Sequence, residues 1–136
     1  MRLEITRRTD LATRALLELA RLDRRVKAAE LAELIGTTPG FLSQALSPLA
    51  AKGWVRSEPG PTGGYVLVAD PDALSVLDVI EAVEGPTDTG ACVLEDRPCG
   101  SGRPCALHGA WAGARSVLIE RLDGMSLASI PAGRRP

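Results

Sequence analysis

Three cysteines and the only histidine of the chain fall within seventeen residues, as Cys92, Cys99, Cys105 and His108. Their spacing is C-x6-C-x5-C-x2-H. A free cysteine usually behaves as a small buried hydrophobe. The segments between these three, 95–98 and 100–104, are too polar and too rich in glycine and proline for a core. Soft sulfur donors select zinc, copper(I) or iron–sulfur clusters over hard cations. Structural zinc commonly takes two close ligand pairs, whereas only Cys105 and His108 are close here. Wide gaps and many glycines suit an object larger than one ion, with backbone N–H groups left to bond cluster sulfides. Three thiolates and one imidazole would hold a 2Fe–2S cluster, the favoured assignment. A 4Fe–4S cluster would take the thiolates and any fourth donor.

His108 leads for the fourth position, since residues three apart at the start of a helix share a face. Asp10 is the alternative, as a carboxylate delivered by a second subunit, and its plainer role is helix N-capping. A helix N-terminus near Cys105 also favours an ionised thiol. An odd number of cysteines argues against a stapled secreted domain. Met1–Asp10 is polar with no apolar signal-peptide core, and no run of about 18 apolar residues is present to span a membrane. These features together predict a protein of the reducing cytoplasm, with no membrane partner.

The elements that must position this loop are legible from periodicity. The 136 residues suit one domain with an oligomerisation arm. Charge is uneven: residues 1–56 hold ten Lys/Arg against six Asp/Glu, a net of +4, and residues 57–136 hold six against eleven, a net of −5. A basic first part beside an acidic remainder indicates that only the first part meets a polyanion. Leu11, Ala15, Leu19 and Leu22 make a helical stripe, with Arg14, Glu18 and Arg21 on the other side and Asp10 or Thr9 as its cap. A second helix over 28–35 stops at Gly36. Thr38 then caps a third, which begins at Pro39, runs to about Lys52 and buries Leu42, Leu46, Leu49 and Ala50.

Helix, short turn, helix is the spacing of a helix-turn-helix. Its second helix presents Phe41, Ser43, Gln44 and Ser47 to a major groove, with Thr38 at its start. Predicted strands over 53–58 and 64–68 flank the turn-rich segment 59–64, so the hairpin reads as a wing. Its Gly63 and Gly64, next to Tyr65, let backbone N–H groups approach phosphate closely. Arg7, Arg8, Lys27 and Arg56 supply phosphate contacts. A helix over 74–83, with Val76, Leu77, Ile80 and Val83 as its apolar face, leads into the cysteine loop. A long helix from about Cys105 to Leu122 follows, carrying Trp111, Ala114, Leu118 and Leu122. Its stripe, widened by Val117 and Ile119, exceeds what a small domain needs and reads as a dimerisation surface. Residues 126–130 could form a last short helix.

The expected fold is therefore mainly α with a small β-hairpin. A winged helix-turn-helix domain (1–85) precedes a cluster-binding loop (86–108), a dimerisation helix and C-terminal segment (105–130) and a flexible tail (131–136). With these motifs in place, the chain resembles the Rrf-type bacterial regulators, the family of IscR, NsrR and RirA. The likeness rests on the opening Met1-Arg2-Leu3, on Ala32, Gly36, Phe41-Leu42, Leu46, Leu49 and Gly53, on the wing Gly60…Gly63-Gly64-Tyr65, and on the three cysteines. Cys105-Ala106-Leu107-His108-Gly109-Ala110-Trp111 is most similar to the IscR branch, which uses a histidine there. Asp10 sits where the NsrR-like branch has an aspartate from the other subunit. The resemblance implies a winged-helix homodimer on double-stranded DNA whose cluster state changes its affinity for an operator.

Three departures stand out. The first cysteine gap is six residues, where five or fewer is usual; Pro59 replaces an arginine of the wing, with Arg56 as a nearby substitute; and Pro48 falls inside the recognition helix, where it is expected to kink or shorten it. Two other readings compete with the sensor. One is a winged-helix protein with a structural zinc site. The other is a redox enzyme with a reactive cysteine, poorly supported because the chain has no second histidine and no C-x-x-C. The chain is therefore expected to be neither an enzyme nor a binder of a small-molecule substrate.

Overall fold

Burial of the first helix organises the rest of the molecule. The computed structural model describes residues 3–133; Met1 and Arg2, and the end of the expected tail at 134–136, lie outside the described residues. Helix α1 (Arg7–Leu22) begins one turn earlier than expected. Thr6, not Asp10 or Thr9, is its cap, with the Thr6 side chain accepting from the Thr9 N–H. Asp10 lies inside the first turn, where a carboxylate still complements the helix dipole. The buried surface of α1 is wider than one stripe, because Ala12, Leu16, Leu17 and even Glu18 are covered. The helix is enclosed by α2 (Ala28–Ile35), α3 (Pro39–Ala51), α4 (Val76–Glu84) and the hairpin. Glu18 is tolerated there because Arg21 pairs with it at 2.7 Å.

Helix α2 ends as expected, with Gly36 left-handed at φ 72°. Thr38 caps α3 through the Phe41 N–H, and Pro39 opens the helix. Leu42, Ala45, Leu46 and Leu49 are buried, whereas Ala50 is exposed, so the core face is shifted by Ala45. Pro48 neither shortens nor ends α3, which continues to Ala51. Strands β1 (Val55–Glu58) and β2 (Gly64–Leu67) pair antiparallel, from Val55 opposite Leu67 to Glu58 opposite Gly64. Val26 adds a single rung on the other edge of β2 through reciprocal bonds with Tyr65, at 3.0 and 2.8 Å.

That rung explains the glycines of the wing. A Cβ on Gly64 (φ 138°) would lie 2.3 Å from the Val26 carbonyl oxygen, and one on Gly63 would lie 2.0 Å from that of Glu58. Both positions are required by close backbone approach within the protein, whatever they also do toward phosphate. Gly64→Ala should therefore destabilise the fold by roughly 3 kcal/mol, read as a lower denaturant midpoint at unchanged m-value.

Ser75 and Asp78 form a capping box at the start of α4. Val79, fully buried, carries more of the core than the expected Val76 and Val83, which are half-buried. Helix α5 (His108–Asp123) packs on α4 and has no buried residue at all. The chain then returns: Val76 N–H donates to the Met125 carbonyl at 2.8 Å, and Leu127, in a single 3-10 turn over 127–129, is fully buried. Ala132, expected in a free tail, packs against the core. Among the described residues no helix is long and apolar enough to cross a membrane.

Candidate metal centre and nucleic-acid interface

The cysteine loop closes on itself between α4 and α5. Asp88 Oδ1 accepts the Gly90 N–H and the Arg115 guanidinium, both at 2.9 Å, so the entry of the loop is tied to α5. Cys99 N–H donates to the Gly90 carbonyl at 2.7 Å, and Cys92 N–H donates to the Arg97 carbonyl at 3.0 Å. Ala91 and Pro98 thus face each other across a tight turn. The six-residue gap is the length of that turn, and it sets Cys92 and Cys99 on its two arms.

Cys105 precedes α5 rather than lying within it, and its carbonyl accepts the His108 N–H at 3.1 Å. The three thiols and His108 all line one cavity, together with Trp111, Ala112 and Arg115. His108 Nδ1 is 3.1 Å from Cys99 Sγ, and the Cys92 and Cys105 thiols are within hydrogen-bonding reach of each other. The Leu94 N–H, then the Glu95 N–H, hold the Cys92 thiol below the ordinary cysteine range by bonding its sulfur. Arg97, bonded to Glu95 and to the Arg103 carbonyl, spans the loop as a fixed cation. The bond to Glu95 shifts its guanidinium further toward the protonated form.

The cavity has a volume of about 10 Å³, room for one water. Among the described residues no three His, Cys, Asp or Glu side chains are spaced to hold a single metal ion. Asp10 is not part of this cavity within one chain; it faces Arg14 at 3.5 Å.

On the other side of the molecule, α2 and α3 form the helix-turn-helix. Thr38, Phe41, Ser43, Gln44 and Ser47 are all exposed, and Phe41 is 60% exposed despite its size. Arg7, Arg8, Lys27 and Arg56 are exposed as well. Arg56 reaches Glu58 at 3.3 Å. Tyr65, expected at the wing surface, instead buries its ring in the core, because β2 turns it toward α1 and Val26.

Sequence reasoning missed Arg25 and gave Arg8 only a phosphate role. Arg25 pairs with Glu58 at 2.7 Å and donates to the Thr62 carbonyl at 3.0 Å, which fixes the wing. Arg8 Nε donates to the Gln44 carbonyl at 3.0 Å. The signal for the second was Pro48, which has no N–H for the carbonyl four residues earlier, that of Gln44. Arg8 satisfies the orphaned acceptor, so α3 continues through its proline.

The model of a family described as Rrf2, iron-dependent transcriptional regulator, matches residues 5–132. The regulator IscR of Yersinia pseudotuberculosis is 31% identical over 94% of this chain and 79% of its own length. IscR of Aliivibrio salmonicida is 35% identical over 77% of the chain, and the match spans only 62% of that protein. The structure is similar to that of CymR, the global cysteine regulator of B. subtilis, with a TM-score of 0.76 and 28% identity over 94% of this chain and 95% of that one.

Proposed function

Because the chain belongs to the Rrf2 family of iron-dependent transcriptional regulators, not to a family of enzymes, we propose that it is a cytoplasmic, homodimeric, DNA-binding regulator that senses iron–sulfur status, redox state or nitric oxide through a cluster held by Cys92, Cys99, Cys105 and His108. The convergence of all three thiols and the one imidazole on a single cavity carries this reading. The donor chemistry fits. Soft donors are present in the right number, sulfur is bonded by backbone N–H groups at Cys92, and two arginines stand by to offset thiolate charge. When bound, a 2Fe–2S cluster supplies a one-electron redox centre that iron scarcity, oxidants or nitric oxide can alter or remove.

The protein's own residues do the rest. Asp88–Arg115 ties any movement of the loop to α5. The exposed apolar residues of α5, Trp111, Val117 and Leu118, call for a second copy. Two recognition helices would then be related by the dimer axis and set one helical turn of DNA apart. Phe41, Ser43, Gln44 and Ser47 face the bases, and Arg7, Lys27 and Arg56 face phosphates.

The test is anaerobic purification with metal and sulfide analysis. A brown protein with sulfur-to-iron charge-transfer bands and stoichiometric acid-labile sulfide is expected. Colourless protein carrying stoichiometric zinc would replace this reading with the structural-zinc one. Duplex affinity should fall with salt at a log–log slope of about −5 or steeper, as neutralising some six phosphates requires. A flat salt response would remove the wing and helix-turn-helix from the DNA interface.

A further inference from the structure

Helix α1 touches the sensing end and the DNA-reading end of the molecule through two side-chain contacts at the same turn. Glu84 is the last residue of α4, immediately before the Gly85-Pro86 entry to the cysteine loop. Its Oε1 accepts the Thr6 N–H at 2.7 Å and also the Thr9 hydroxyl. Glu81, one turn earlier, accepts the Thr87 N–H at 2.8 Å, so the first residues of the loop are held to the same end of α4. Between Thr6 and Thr9 lies Arg8, whose guanidinium occupies the Gln44 carbonyl that Pro48 leaves without a donor.

We infer that Glu84 and Arg8 are positioning residues that couple the cysteine loop to the recognition helix. In this arrangement, movement of the loop pulls on the end of α4, Glu84 passes it to the first turn of α1, and Arg8 passes it to the middle of α3. Pro48 leaves the Gln44 carbonyl to Arg8 alone. In a helix with an N–H at position 48, that N–H would share the Gln44 carbonyl and weaken the hold of Arg8 on it. Thr9 is fully buried, so one end of the Glu84 contact is fixed in the core, although Glu84 itself is exposed.

This inference rests on the proposed sensing role, and the experiment separates the two. The dissociation constant for operator DNA is measured for cluster-loaded and cluster-free protein, in wild type, E84A, T9V and P48A. The ratio of the two constants should move toward one by about threefold or more in each variant, while iron content and absorption spectrum stay those of wild type. The double variant E84A/T9V should change the ratio no further than E84A alone, since E84A already removes the Thr9 contact along with that to the Thr6 N–H.

P48A is the decisive variant, because alanine is the better helix former and folding is not at risk. Hydrogen exchange on the cluster-free protein gives a second readout. E84A should speed exchange in the first turn of α1 and across 44–51 of α3, whereas P48A should slow exchange across 44–51. If wild type shows a cluster-dependent ratio and E84A and P48A both retain it, the relay is overturned and the sensor stands. If wild type carries no cluster, or binds DNA equally with and without it, the relay falls together with the sensing role.

Discussion

Cys99→Ala protein, purified without oxygen, should be colourless, with less than about a tenth of the wild-type iron. A missing thiolate at one of four donor positions weakens metal binding by far more than the 10- to 100-fold typical of a lost outer-shell partner. Cys99 stands on one arm of the closed turn and makes the direct 3.1 Å approach to His108, so its loss removes a donor and the neighbour of a second. Cys92→Ala and Cys105→Ala should behave alike.

The fourth donor is decided by the pair His108→Ala and Asp10→Ala. His108 lines the cavity within its own chain, so His108→Ala should yield a shifted spectrum and a cluster lost to chelators at least about tenfold faster, with Asp10→Ala unchanged. His108→Cys should keep the cluster but lower its reduction potential, since replacing histidine by thiolate reverses the rise that histidine ligation produces. An unaltered His108→Ala spectrum beside a changed Asp10→Ala spectrum would move the fourth ligand to the partner subunit.

Leu118→Asp should convert the proposed dimer to a monomer. No residue of α5 is fully buried within one chain, and Leu118, 40% exposed, follows Trp111 by seven residues on the same face. A carboxylate left unpaired in a buried interface costs roughly 3 kcal/mol or more, about a 150-fold rise in dissociation constant. In a two-fold interface the substitution is present in both copies, so the effect is compounded. Analytical ultracentrifugation at micromolar protein reads the mass directly. Operator affinity should fall about 100-fold or more at the same time, because two linked half-sites become independent ones. The donor cavity is formed within one chain, so the monomer should still carry the cluster. A variant that stays dimeric, or a wild type that is monomeric, would remove α5 from the interface.

Periodicity and turn chemistry determined the winged helix-turn-helix because each element is specified locally. Leu31, Ala32 and Ile35 repeat at helical spacing before Gly36, Thr38 caps a helix opened by Pro39, and the hairpin is bounded by prolines and glycines. The gathering of Cys92, Cys99, Cys105 and His108 at one cavity was likewise legible as a cluster in sequence, because thiols set in a polar, glycine-rich loop are poorly suited to a core. Long-range facts were not. The start of α1 at Arg7 depends on Thr6 and Thr9 being held by Glu84, some 75 residues away. Tyr65 had every local feature of a wing residue, yet pairing with Val26 turns its ring inward.

Pro48 shows the division most clearly. Its local chemistry specifies an orphaned carbonyl at Gln44, and that much is in the sequence. Whether the orphan breaks the helix or recruits a donor depends on what lies across from it. Only the packing of α1 against α3 brings Arg8 to that carbonyl, so only the tertiary structure decided that the recognition helix runs unbroken.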